Sequence, residues 1–286
     1  MPLRAKIIFI LSGVLALFLA LHLVVQRLVI ASSFAALERK ETLRDLDRCR
    51  EALNKELSYL RQVCADWASW DDTYAFIVEP RGEYVASNLG KKTFTDNQLN
   101  LIHFYDKEGR LVWGEGYRLE PWQPVKVAEL SSSRLEQGHP LLADDPKFNR
   151  TGVLLTEHGP ALVSAQPILT SKAEGPVRGT LIMGRFLERA LVTGLAEQAK
   201  VDFKVWPIRD GSVPEEDRPA LDALAEDKDP VYFNLAAEKV LQAYSSFPDV
   251  RGRPALLIRV DVPREITLQG KRSLTFANYS ILAVGI

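Results

Sequence analysis

One short stretch concentrates side chains that could hold a ligand: Trp67-Ala-Ser-Trp70-Asp71-Asp72-Thr73-Tyr74-Ala-Phe76. On a single helix, Trp67, Trp70, Asp71 and Tyr74 fall at i, i+3, i+4 and i+7 and share a face. Two indoles and a phenol beside a carboxylate make one wall of a pocket for a cationic or amphipathic small molecule. The same spacing also suits aromatic rings filling a core, with Asp71 or Asp72 bracing a turn. Alternation along Leu101–Asp106 places Leu101, His103 and Tyr105 on one face of a strand, with Phe104 and Asp106 on the other. Tyr105 joins the ligand-contact candidates, and so does Arg185. Arg185 stands at a strand end and needs an acidic partner, because an unpaired buried arginine is costly.

Motifs for catalysis fail in turn. Gly90-Lys-Lys-Thr93 lacks the upstream glycine of a phosphate-cradling loop, and Gly175, Gly179 and Gly184 have neither its spacing nor its lysine. No G-x-S-x-G elbow or H-E-x-x-H helix is present. Adjacent carboxylates such as Asp71-Asp72 point about 100° apart on a helix, which disfavours a shared-proton dyad. His22, His103, His139 and His158 are scattered, and no Cys/His spacing of the zinc type occurs. The sequence therefore predicts no enzyme, no catalytic residue, no metal site and no cofactor. With 36 basic against 37 acidic side chains and a formal charge of −1, it also predicts no nucleic-acid partner. An apolar share of 47% is too high for a disordered chain.

The elements that must position these residues begin with an apolar run, Ile7 to Val25. At about 1.5 Å per residue it is long enough for a hydrocarbon core of roughly 30 Å. Arg4 and Lys6 precede it, which puts the N-terminus in the cytoplasm if the run spans a membrane. A cleaved signal peptide is the competing reading, disfavoured by the length of the run and the lack of a prompt A-x-A site. After Lys271-Arg272 the chain turns apolar again over Ser273–Ile286, as a terminal strand or docked tail, or as the opening of a second membrane helix. The second reading makes residues from about 32 to 270 one non-cytoplasmic loop.

From Ser33 to about Phe76 there is neither proline nor glycine. Leu43, Leu46, Leu53, Leu57, Leu60, Cys64 and Trp67 follow the 3-4 alternation of a heptad seam. This stretch reads as a stalk helix leaving the membrane, pairing with a second copy along its charged first half and packing on a sheet further on. Cys49 and Cys64 on such a helix lie about 22 Å apart along its axis, beyond disulfide reach.

Short strand signals follow: Leu101–Asp106, Leu111–Gly114, Gly152–Thr156, Ala161–Leu169, Gly179–Gly184 and Phe203–Pro207. Turns join them, as in an antiparallel meander. Glu129–Leu142 reads as helical but for Gly138-His-Pro140, and Leu187–Ala199 reads as a helix. Beyond an acidic, proline-containing loop at 210–229, a smaller β portion comprises Val231–Asn234, Lys239–Phe247 and Ala255–Asp261. The prediction is an α+β fold with these boundaries: 1–32 a transmembrane helix, and 33–270 an extracytoplasmic domain. Within the latter, 33–76 is the stalk, 77–186 the main sheet and 187–270 a helix with the membrane-proximal β portion. Residues 273–286 open an incomplete second membrane helix.

The combination of Trp67-Ala-Ser-Trp-Asp-Asp-Thr-Tyr74, Asn88-Leu89, Phe104-Tyr-Asp-Lys-Glu-Gly109, Ser164-Ala-Gln-Pro-Ile168, Gly179-Thr-Leu-Ile-Met-Gly-Arg185 and Arg259-Val-Asp-Val-Pro-Arg264 resembles the fourth type of CHASE domain. The resemblance covers about residues 60 to 265. It implies a mostly antiparallel Cache/PAS-like sheet in an extracytoplasmic sensor, set between two helices of a bacterial inner membrane. Such a sensor feeds a cyclic-di-GMP cyclase or phosphodiesterase, or a histidine kinase, none of which this chain contains. An unidentified small-molecule signal, the membrane and a second copy of the chain through the stalk helix are the expected partners. The alternative is a ligand-free structural or interaction module of the envelope, whose sheet would be filled by bulky side chains.

Overall fold

In the computed structural model of the chain, residues 2–25, 31–130, 132–209, 211–226, 230–236 and 239–284 are described. Helix α1 (Leu3–Val25) carries an apolar stretch, Leu3–His22, with a mean hydropathy of 2.2 and none of its described side chains buried, so by length and composition it could cross a bilayer. Helix α2 (Ala31–Ala68) follows. The expected stalk to residue 76 is broken at Ser69-Trp70. The Ser69 hydroxyl bonds back to the Ala65 carbonyl at 2.9 Å, and Trp70 takes an extended backbone (φ −81°, ψ 137°). Asp71 and Asp72 then open α3 (Asp71–Val78), where carboxylates complement the helix dipole. Two short helices, α4 (Gly82–Asn88) and α5 (Lys91–Asp96), lead to the sheet.

The main sheet comprises β1 (Leu101–Asp106), β2 (Leu111–Arg118), β3 (Gln123–Pro124), β4 (Arg150–Thr156), β5 (Gly159–Pro167) and β6 (Gly179–Phe186), in the order β3-β2-β1-β6-β5-β4 with every pair antiparallel. Helix α6 (Arg189–Ala199) and strand β7 (Phe203–Pro207) follow. Next come α7 (Arg218–Glu226), β8 (Tyr232–Asn234), β9 (Val240–Pro248) and β10 (Pro254–Pro263), giving a second sheet of order β7-β10-β9-β8. Helix α8 (Glu265–Val284) ends the described chain, and it starts well before the predicted apolar run at 273. The fold is α+β.

By Cα proximity the chain divides into two units, one of Met1–Leu46, Phe233–Ala243 and Val260–Ile286, the other of Asp47–Tyr232 and Tyr244–Arg259. In the larger unit, Cys49, Leu53, Leu57, Leu60, Cys64 and Ala68 are buried at helical spacing along α2. That seam lies on the main sheet: the Cys64 thiol points to the carbonyls of Ser164 and Leu181, both at 3.4 Å. On the opposite face Leu101, Tyr105, Val163, Ala165, Ile182 and Phe186 meet Val127, Leu130, Leu135 and Leu141 in one core. Residues 129, 130 and 132–142, in a stretch read from sequence as helical, instead form turns and irregular chain over that face and include a bridge from Arg134 to Arg110. A second core joins Val213, Ala220, Tyr244 and Leu257 around the buried Arg259–Asp217 ion pair at 2.7 Å.

Within the smaller unit the Glu38 carboxylate, buried on α2, takes the Thr267 backbone N–H at 2.7 Å and the Arg264 Nε at 3.4 Å. The Phe34 ring covers Gly270, where a Cβ would come within 2.4 Å of it.

Candidate functional site

Asn100 prepares the site at the start of β1. Its side-chain amide donates to the Tyr117 carbonyl at 2.8 Å, and its oxygen accepts the Phe186 N–H at 2.8 Å, which ties three adjacent strands at one end. Two residues earlier, Gln98 adopts a left-handed backbone (φ 52°) beyond the C-terminus of α5. This turns its side chain toward the end of β6 and so to Arg185.

Arg185 is gripped from two sides. Nη1 donates to the Glu56 carboxylate on α2, and Nη2 donates to the Gln98 side-chain oxygen. The arginine and glutamate side chains are 20% and 17% exposed, so the pair is partly withdrawn from water but open on one side. Of the five guanidinium N–H donors these bonds use two.

The open side is a cleft of about 620 Å3. Glu56, Gln98 and Arg185 form its polar floor, and Leu191, Leu195 and Gln198 of α6 stand as one wall. Glu188 closes part of the rim through a 3.4 Å contact with Arg118. A fixed guanidinium, several carboxylates and an aliphatic wall can recognise a small polar molecule with a short apolar part. Among the described residues, no group of three or more His, Cys, Asp or Glu side chains is placed to hold a metal ion.

The six candidates from the sequence do not form one site. The rings of Trp67 and Trp70 stack at 4.7 Å, but the break between α2 and α3 removes the single helical face expected to carry all four residues. Asp71 accepts from the Ser171 N–H at 2.9 Å and hydroxyl at 2.8 Å, and these bonds lower its pKa. Tyr74 accepts from Arg178 Nε at 3.0 Å and donates to the Pro176 carbonyl at 3.3 Å. Asp71 and Tyr74 thus clasp the 170–178 loop. Tyr105 corrects the reading most clearly. It is fully buried in the core on the sheet face opposite α2, its hydroxyl donating to the Leu130 carbonyl, and burial raises its pKa. Only Arg185 lines the cleft. Its partners Glu56 and Gln98 were not singled out in the sequence. The one signal for them was the demand of a strand-end arginine for an acid.

A family model described as the CHASE4 domain matches residues 52–206. The methanogenesis regulatory histidine kinase FilI of Methanothrix harundinacea (strain 6Ac) is 30% identical over 226 residues, which are 78% of this chain and 24% of that protein. The chain therefore spans about a quarter of the length of this curated relative. The fold is similar to the extracellular domain of vpHK1S-Z8, described as a histidine kinase, with a TM-score of 0.54 and 15% identity over 83% of this chain and 95% of that one. It is also similar to a domain of a Vibrio parahaemolyticus protein described as of the sensory box/GGDEF family, with a TM-score of 0.54 and 14% identity over 83% of this chain and 99% of that one.

Proposed function

The chain belongs to the CHASE4 domain family, and from that premise we propose that it is the extracytoplasmic sensor of a membrane receptor, binding a small-molecule signal in the cleft over Arg185. Helix α1 anchors it in the inner membrane, and residues from about 33 to 270 stand outside the cytoplasm as the sensor domain. Arg4 and Lys6 at the start of α1 support that orientation. Signals pass to a histidine kinase or cyclic-di-GMP module of that receptor. The kinase activity named for the Methanothrix harundinacea relative is that protein's own; this chain acts by binding. Two copies pair through the charged first half of α2.

The observation that carries the reading is the clamp on Arg185. Glu56 belongs to the long helix α2, while Gln98 and Arg185 belong to the sheet end. A ligand competing for the guanidinium changes how that helix is held to the sheet. Coupling then requires only that the ligand bind the two arrangements with different affinity.

The test is a thermal-shift screen of a small-metabolite library on the full chain in detergent, run in parallel on Gln98→Ala. A compound that binds only the folded form at a hundredfold excess over Kd stabilises it by about 2.7 kcal/mol. The expected result is a saturable shift in the native chain that weakens in the variant.

A specific observation favours the second reading, a ligand-free interaction module. The sheet face opposite α2 is filled by Val127, Leu130, Leu135 and Leu141, as that reading requires. A folded chain that ignores the whole library would select it.

A further inference from the structure

Strand β2 pairs with β1 on one side, His103 opposite Gly114 and Leu101 opposite Gly116. Hydrogen bonds fix which way each residue faces. The Tyr117 N–H donates to the Asn100 carbonyl across β1 at 2.7 Å, whereas the Gly116 carbonyl accepts the Val125 N–H from the other side at 2.8 Å. In an antiparallel ladder the direction alternates residue by residue. Gly114 therefore turns both its N–H and its C=O to the outer edge of β2, as Gly116 does.

That edge is covered at both ends but not between them. Strand β3 pairs with Tyr117 and Arg118. At the other end Arg134 bridges Arg110, and the Leu111 N–H donates to the Ser133 carbonyl at 2.9 Å. Among the described residues, nothing bonds to the outward backbone of Gly114. A cavity of about 310 Å3 sits at this gap, lined by His103, Leu111, Gly114, Gly116, Pro124 and Val125.

His103 supplies an independent reason to expect an occupant. It is 3% exposed, and among the described residues its Nδ1 has no hydrogen-bond partner. The Cδ2 side of its ring is nearest Gly114, where a Cβ would come within 2.3 Å of Cδ2, so a larger residue there would have to displace the ring. A buried polar atom without a partner is costly, which favours whatever supplies one. Burial lowers the histidine pKa to about 4, so the ring is neutral at neutral pH. Lys126 and Glu115, of opposite sign, also line the cavity and place no net demand for charge on a ligand.

We propose that this gap is a second binding site, distinct from the Arg185 cleft, for a short uncharged peptide-like amide. One extended residue of the ligand pairs its N–H and C=O with those of Gly114, filling the missing position of the ladder. Another polar group of the ligand meets the imidazole of His103.

The sequence allows a direct reading of this site. Trp113-Gly114 is the only Trp-Gly pair in the chain, so carbonyl-13C tryptophan with 15N glycine selects the Gly114 amide alone. The full chain in detergent is titrated with N-acetylglycinamide, and separately with N-acetylsarcosinamide, whose N-methyl group removes the pairing donor. The expected result is a saturable shift of the Gly114 amide with the first compound and none with the second. His103→Phe, which keeps a buried ring but loses its nitrogens, is expected to weaken binding about tenfold. Equal shifts from both compounds, or no saturable shift from either, would overturn the proposal. So would unchanged affinity in His103→Phe. If that variant does not fold, the comparison of the two compounds on the native chain still decides.

Discussion

Glu38 and Thr267 are joined twice: the Thr267 N–H reaches one carboxylate oxygen at 2.7 Å, and the Thr267 hydroxyl reaches the other at 2.5 Å. Glu38 is 2% exposed, so its charge is withdrawn from water and depends on these bonds and on Arg264. The carboxylate acts as a cap borrowed from another helix, satisfying an N–H in the first turn of α8 that has no intrahelical partner. Replacement by alanine leaves the Thr267 N–H and the Arg264 guanidinium without it. Glu38→Ala is expected to destabilise the start of α8 by about 1–3 kcal/mol. Faster amide exchange at Thr267 would report it, with Glu38→Gln intermediate. Unchanged exchange in Glu38→Ala would show that α8 is held by other contacts.

Gly114 and His103 predict a non-additive pair. An added Cβ at Gly114 would lie 2.3 Å from His103 Cδ2, so Gly114→Ala should cost about 1–3 kcal/mol by overpacking. His103→Ala removes the ring that the new methyl group meets. The double variant should therefore recover part of that loss, a coupling visible in a denaturant double-mutant cycle. Strict additivity would mean that the ring is not confined by the glycine.

The same histidine gives the protein a pH dependence. Its folded pKa is lowered by burial to about 4, below the unfolded value near 6.5. Between these values the unfolded chain binds the extra proton, so stability is full above about pH 6.5 and falls as the pH drops toward 4. The expected loss between pH 7 and pH 5 is about 2 kcal/mol, and His103→Phe should remove that contribution. A native chain with the same pH slope as the variant would contradict it.

Neither cysteine is in a disulfide and both are buried, and burial pushes the Cys64 thiol up to about 12. The thiolate is the reactive form. A thiol reagent at pH 8 should modify neither cysteine in the folded chain and both after denaturation. Rapid labelling of Cys64 in the folded chain would mean that α2 separates readily from the sheet.

Strands were legible where alternation and turns coincide, as in Leu101–Asp106, Ala161–Leu169 and Gly179–Gly184, all within or beside strands of the main sheet. The α2 seam was legible for the same reason at Leu46, Leu53, Leu57, Leu60 and Cys64, which are buried, whereas Leu43 and Trp67 at its ends are only partly buried and Cys49, buried beside them, was not read into it. The break at Ser69-Trp70 was not legible. No proline or glycine marks it, and a serine hydroxyl bonding back into the helix leaves no trace in hydropathy. Residues 129–142 carry helix formers, yet Val127, Leu130, Leu135 and Leu141 reach the sheet core only along an irregular path. The cleft was legible only through Arg185. Its carboxylate partner is 129 residues away, and no local spacing reports a contact of that range. The aromatic cluster drew attention by residue type, whereas its positions answer to packing and to the 170–178 loop.

The central claim is that the signal binds over Arg185. Amide exchange by mass spectrometry, on the full chain with and without a compound selected by the thermal screen, tests it most directly. Protection is expected in two stretches, Thr95–Asn100 and Arg189–Gln198, which flank the clamped guanidinium. Protection confined to the 170–178 loop, or to no stretch of the cleft, would contradict it.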